Sequence, residues 1–138
     1  MTTEQNKAIA DRIVNEGINS KDMAIFDDLI APEFEHRTMQ LPKPGAAGFR
    51  ALIQGFHDAF PDMHVEVQHT IGEGDMVGTW GIMTGTNNGP FMGMPATGKK
   101  INIKYIDMWR LKDGKAVENW VQMDNAAMMQ QLGVIPHN

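Results

Sequence analysis

The stretch from Ile101 to Met123 constrains the fold of this chain more than any other: two long runs alternate apolar and polar residues about Lys112-Asp113-Gly114. A three-residue loop ending in glycine closes a β-hairpin with a bulge. That loop sets Leu111 opposite Lys115, Trp109 opposite Val117, Asp107 opposite Asn119, Tyr105 opposite Val121 and Ile103 opposite Met123. Side chains alternate between the faces of a strand. One face therefore carries Ile103, Tyr105, Asp107, Trp109 and Leu111 beside Met123, Val121, Asn119, Val117 and Lys115. A carboxylate and an amide sit in the middle of an apolar surface. Burying a carboxylate without a partner is costly or shifts its pKa, so Asp107 is the residue that needs a reason.

The first half of the chain reads as helix. Residues 4–18 carry a stripe of Ile9, Ala10, Ile13, Val14, Gly17 and Ile18, and Thr2 with Gln5 makes a capping box at its start. A second helix over about 21–30 turns Phe26, Leu29 and Ile30 inward and stops before Pro32. A short extended piece, Glu33 to Arg37, precedes a loop at Leu41 to Gly45. A third helix over about 46–60 places Phe49, Leu52, Ile53, Phe56 and Phe60 on one side.

The second half reads as strand. Met63, Val65 and Val67 alternate with polar residues, and Gly72-Glu73-Gly74-Asp75 turns into a long strand from Met76 to Thr86. A Gly/Pro-rich crossover, Asn87 to Lys99, leads into the hairpin. A last helix, Asn125 to Leu132, is capped by Asp124 and stopped by Gly133. Helices first and an antiparallel meander afterwards describe an α+β fold, a curved sheet packed on helices with a ligand-sized cavity between. Residues 1–138 form one domain on this reading.

Composition removes several functions. A net charge of −5 with no basic cluster beyond Lys99-Lys100 argues against nucleic acid and against an anionic membrane. The absence of cysteine removes disulfides and thiolate chemistry and fits a reducing, cytoplasmic setting. No signal peptide and no apolar run of membrane length is present. His64 and His69, five residues apart on a strand, fall on opposite faces, and no metal-ligand spacing appears. No phosphate-binding glycine loop appears either. No metal and no cofactor are expected.

Three groups of residues carry a resemblance. They are Phe60-Pro61-Asp62, then Gly89 to Lys99 (GPFMGMPATGK), then Arg110 with Asp113-Gly114-Lys115, Asp124 and Gln131-Leu132-Gly133. In these and in the order of its elements the chain resembles the SnoaL-like polyketide cyclases of the nuclear transport factor 2-like (NTF2-like) superfamily. The resemblance covers nearly the whole chain and implies a cystatin-like, cone-shaped α+β barrel. It also implies cofactor-independent acid/base chemistry, a ring closure by intramolecular aldol condensation. The catalytic carboxylate of those enzymes stands on the last strand, flanked by His and Gln on the same hairpin face. Matching the turn and the C-terminal Gln-Leu-Gly puts that carboxylate at Val121. The polar cluster here consists instead of Asn119, Asp107 and Tyr105, so the carboxylate has moved to the neighbouring strand.

Asp107 is accordingly the candidate general base, its pKa raised by an apolar wall. The structural alternative is a carboxylate held by Asn119 or Tyr105. His36, in the segment after the second helix, is expected at the cavity, to share a proton or orient a carbonyl, unless it is a surface residue beside Glu35 and Arg37. Asn119 donates to a developing enolate oxygen or satisfies Asp107. Tyr105, Trp109, Val121, Met123 and Trp80 are expected to line the substrate site, with Trp120 facing away. The opposite face, with Lys104, Arg110, Glu118 and Gln122, suits a sheet-to-sheet homodimer. The Phe91–Pro95 loop is either a lid or a cover for the barrel end. The expected partner is a small, apolar, carbonyl-bearing molecule that is cyclised, isomerised or dehydrated. A ligand-binding module without chemistry and a dimerisation domain are the alternatives.

Overall fold

A computed structural model describes residues 1–135. The chain begins with helix α1 (Thr3–Arg12), which runs directly into a π-helical segment, Ile13–Asn19. Helix α2 (Ile25–Leu29), strand β1 (Ile30–His36) and helix α3 (Gly45–Ala59) follow. Strands β2 (His64–Glu73), β3 (Met76–Thr86), β4 (Lys100–Lys112) and β5 (Lys115–Met123) then precede helix α4 (Asn125–Leu132). The strands form one sheet in the order β1-β5-β4-β3-β2, antiparallel except where β1 runs beside β5. This is the α+β architecture expected, with the sheet left unclosed. The helices cover one face, and the core between them includes Ile13, Phe26, Phe34, Phe49, Phe60, Val77, Ile103 and Trp109.

The helix boundaries follow local chemistry. Thr2 and Gln5 form the capping box at α1, and Asp124 accepts from the Ala127 N–H at 3.0 Å to cap α4. The uniform helix expected over 4–18 is instead α-helical and then π-helical, with Ser20 N–H bonded to the Asn15 carbonyl at 3.1 Å. Gly17 lies in the wide turn, and a Cβ there would stand 2.2 Å from Phe26 Cε1, so the phenyl ring packs on bare backbone. The second helix is shorter than its pattern suggested. Lys21 adopts a left-handed φ of +59°, and the turn after it delays α2 until Ile25. The chain then enters β1 at once, including Pro32, which an edge strand tolerates because it lacks only an outward donor.

The β4–β5 hairpin corrects the expected register. Lys112 pairs with Lys115 across a two-residue turn, with Asp113 at φ +52° and Gly114 at φ +82°. Two successive positive φ values give a primed hairpin turn, whose twist matches the strands. The bulge lies further on, between the pairs Leu111–Ala116 and Arg110–Glu118. Together these shift the ladder by two residues, so Asp107 faces Val121, Trp109 faces Asn119 and Tyr105 faces Met123. An even shift preserves the faces: Asn119, Val121 and Met123 still point with Asp107. Beyond the bulge, Ala116 replaces Val117 and Lys115 on that side.

A second bulge, between Val67 and His69 on β2, reverses parity there. It places His64 and His69 on one face instead of two. His69 stacks on Trp80 with ring centroids 5.2 Å apart. The outer face of the sheet exposes Trp80, Ile106 and Met108 to solvent. Arg37, Arg110, Glu118 and Asp75 form an ion-pair network along its end.

Candidate active site

Asp107 stands in the middle of β4, 6% exposed, at the wall of a cavity of about 90 Å³ between α3, the π-helical segment and the inner sheet face. Its carboxylate accepts a hydrogen bond from the Thr79 hydroxyl, which the β3–β4 register sets directly opposite. Apolar side chains supply most of the remaining wall: Val14, Ile18, Phe49, Ile53, Val65 and Met83 among them. Burial pushes the carboxyl up to about 6, against the opposing pull of the Thr79 hydroxyl and then of the Trp109 indole N–H. The carboxyl thus titrates near neutral pH.

Two donors beside it have no hydrogen-bond partner among the described residues, the Tyr105 hydroxyl and the Trp109 indole N–H. The indole lies near enough to favour the Asp107 anion, and the Thr79 hydroxyl near enough to lower the pKa of the Tyr105 phenol, but neither contact reaches full hydrogen-bond geometry. Burial pushes the Tyr105 phenol up to about 12, so it remains a neutral donor. Buried donors without partners are rare in folded proteins. These two line the same cavity as Asp107.

His36 ends β1, where parallel pairing with β5 sets it beside Asn119. Its Nδ1 accepts from the Met39 N–H at 3.0 Å and the Thr38 N–H at 3.3 Å. A nitrogen that accepts two backbone donors cannot carry the proton, so the neutral ring holds it on Nε2. Burial lowers the pKa of His36 in the same direction. The loop that fixes the ring is stitched to β5 by Arg37 N–H to the Asn119 carbonyl at 2.8 Å. It is also held by Val121 N–H to Thr38 Oγ1 at 2.9 Å. His36 therefore reaches the cavity as a neutral imidazole.

The other expected residues divide. Tyr105, Trp109, Asn119, Val121 and Met123 all line the cavity. Asn119 is not the partner of Asp107: its Nδ2 donates to the Met108 carbonyl at 2.9 Å, a backbone tie within the hairpin. Trp80 does not reach the cavity. It alternates with the inward residues Thr79 and Gly81 and is 43% exposed on the outer face. Thr79 escaped the sequence reading. Its signal lies in the β3–β4 pairing, and the crossover between those strands is too long to fix a register. Met39, Leu52 and Phe56, from the loop after β1 and from α3, also line the cavity. Among the described residues no group of His, Asp and Glu is placed to hold a metal ion.

A five-stranded sheet with helices on one face and a buried carboxylate in an apolar cavity defines an NTF2-like fold carrying a candidate acid/base site. The family model for SnoaL-like polyketide cyclases matches residues 8–132. The chain belongs to that family. Among solved structures it is similar to TsrD from Streptomyces laurentii, at 24% identity and a TM-score of 0.88, covering 98% of this chain and 99% of the other. It is also similar to IdmH of Streptomyces antibioticus, a candidate polyketide cyclase, at 31% identity and a TM-score of 0.80, covering 94% of this chain and 99% of the other. AclR of Streptomyces galilaeus, a candidate hydroxylase, is 27% identical with a TM-score of 0.84, over 99% of this chain and 86% of the other. No curated protein matches the sequence. Neighbours described as cyclases and as a hydroxylase share the fold, so the reaction has to be argued from the site.

Proposed function

We propose that this protein catalyses cofactor-independent acid/base chemistry on a small apolar carbonyl compound, with Asp107 as the general base. Asp107 removes a proton from the carbon beside the carbonyl. The C–H electron pair becomes the enolate double bond, and the carbonyl π pair moves to oxygen. Tyr105 O–H, Trp109 N–H and His36 Nε2–H are the donors available to that oxygen. In an aldol closure the enolate carbon then attacks a second carbonyl, and protonated Asp107 returns its proton to the new alkoxide. Isomerisation and dehydration begin with the same proton abstraction.

The observation that carries this reading is the position of Asp107. Its carboxyl titrates near pH 6 in an apolar cavity whose other polar groups include unpartnered donors. It also stands directly across the ladder from Val121, the position at which the resemblance places the family's catalytic carboxylate. Side chains opposite each other in a ladder have Cβ atoms about 5 Å apart. A carboxylate on β4 therefore serves the same cavity as one on β5.

The test is deuterium wash-in at the central carbon of 1-phenyl-1,3-butanedione, followed by NMR. The native protein should exchange faster than buffer, with a rate that rises with pH through about 6, the Asp107 value. Asp107→Asn should lose at least about a hundredfold, the low end of general-base contributions. Equal exchange in the variant would leave a ligand-binding module as the reading. We also propose that the exposed Trp80, Ile106 and Met108 face pairs with a second copy. Ile106→Glu should then halve the sedimenting mass.

A further inference from the structure

The last turn of α3 carries a titratable group that plays no part in the acid/base site. His57 is 6% exposed, and neither ring nitrogen has a hydrogen-bond partner among the described residues. Buried polar atoms without partners are rare in folded proteins. Helical spacing accounts for its place inside: His57 follows Phe49 and Ile53 at four-residue steps, on the side of α3 that packs into the core.

The ring lies against the end of the π-helical segment. There the Ile18 carbonyl is close enough to favour a protonated ring without reaching full hydrogen-bond geometry. The charged groups that face the ring are Lys21, from the turn after that segment, and Asp58, from α3 itself. The Asp58 carboxylate is engaged by Gln54 Nε2 at 2.8 Å. Burial is the largest influence and the Lys21 ammonium the next, and together they hold the imidazole below its ordinary 6.5. Two side-chain bonds fasten the turn at residues 20–24 to α3 and its end. Lys21 Nζ donates to the Pro61 carbonyl at 2.9 Å, and Arg50 Nε to the Met23 carbonyl at 3.5 Å. A cleft of about 460 Å³, lined by Lys21, Met23, Gln54, His57, Asp58 and Pro61, opens beside the ring. A freed imidazole therefore has only a short way to water.

We propose that neutral His57 is an acid-sensitive latch: when the ring takes up a proton, the turn at residues 20–24 parts from α3 and the wall of the Asp107 cavity loosens. The connection to the cavity is short. Ile18, whose carbonyl lies at the ring, and Ile53, one turn before His57 on α3, both line that cavity. A buried imidazolium beside the Lys21 ammonium is costly, and opening hydrates the ring and separates the two charges. The sign is opposite to that of Asp107, whose protonation favours the closed fold. Below the exposed value of 6.5 the open form holds a proton that the closed form lacks, so acid favours opening.

Amide hydrogen exchange at pH 7.5 and pH 5.5, corrected for the intrinsic rate, tests the latch. One proton taken up on opening raises the open population about five- to tenfold over that interval. The Ser20 and Asp22 amides, bonded at 3.1 and 3.0 Å to the carbonyls of Asn15 and Glu16, should lose protection by that factor. The amides of the β3–β4 ladder should keep theirs. His57→Leu should remove the pH dependence at Ser20 and Asp22. His57→Gln, neutral and polar, should remove it too and serves if the leucine variant does not fold. Asp107→Asn should retain it, which separates the latch from the proposed base. Equal protection at the two pH values in the native protein overturns the proposal, as does a pH dependence that survives in His57→Gln or vanishes in Asp107→Asn. A matching loss in the β3–β4 ladder also overturns it, because acid then acts on the whole fold. Exchange is read without turnover, so failure of proton abstraction by Asp107 leaves the result intact.

Discussion

Replacing Asp107 by Asn should make the protein more stable at neutral pH and less so in acid, with a size set by the site. The carboxyl has an ordinary value of 3.8 and is raised to about 6 by burial. At about 1.4 kcal/mol per pH unit that displacement corresponds to about 3 kcal/mol. The sign follows from proton counting. Between the unfolded value of 3.8 and the folded value of about 6 the folded state holds a proton that the unfolded state has lost. Stability from this group is therefore fully present below 3.8 and is lost as pH rises through 6. Above pH 7 the native protein bears the whole cost of an ionised, buried Asp107. Asn keeps an acceptor for the Thr79 hydroxyl and removes the charge. Its own NH₂ is also buried, which offsets about 1 kcal/mol at every pH. The pH-independent offset cancels when two pH values are compared. The gain of the variant over the native protein should grow by about 2–3 kcal/mol between pH 4 and pH 8, or roughly 8 °C in Tm for a chain of this size. Urea unfolding of both proteins at each pH gives the difference directly, since carboxylates common to both drop out. A flat difference, or one that shrinks as pH rises, would refute a buried and raised Asp107 and with it the reason to regard it as a base.

Three further outcomes follow from single contacts. Thr79→Val removes the hydroxyl that stabilises the carboxylate, so a ¹³C titration of Asp107 should move above its native value of about 6. The same variant should lose about 1–3 kcal/mol at pH 8 and less at pH 4. Asp113→Val puts a β-branched side chain at φ +52° and should lose about 1–2 kcal/mol in chemical denaturation, whereas Asp113→Gly should be nearly neutral. Gly17→Ala forces a methyl against the fully buried Phe26 ring and should destabilise by about 1–3 kcal/mol, measured by thermal unfolding.

The elements and their faces were legible in the sequence because they depend on neighbours within a few residues. The capping pairs Thr2 with Gln5 and Asp124 with Ala127, the stripe of α3 and the alternation of β4 all act over one or two turns or pleats. Those periodicities give the α+β order, and the alternation alone puts Asp107, Trp109 and Tyr105 on one inward face. Registers were less legible. The Asp113-Gly114 turn and the bulge after Ala116 differ from the expected loop by small backbone rotations, and together they slide the ladder by two residues. Trp80 was misplaced for a related reason. In a strand with glycine on both faces, composition does not say which parity is inward, and only pairing with β4 decides it.

What the sequence determined by itself is therefore local. It set helix or strand, which residues share a face, and that a carboxylate stands in an apolar row. The tertiary structure decided what that carboxylate meets. The Thr79 hydroxyl arrives from β3 across a crossover whose length leaves register free, and Val121 arrives opposite through the bulge. His36 is held neutral by backbone donors from its own loop, and apolar side chains of α3 line the cavity beside the carboxylate. Desolvation and hydrogen bonding act through space, between residues far apart in the chain. The pKa of Asp107, and so any chemistry it performs, exists only once the sheet is assembled.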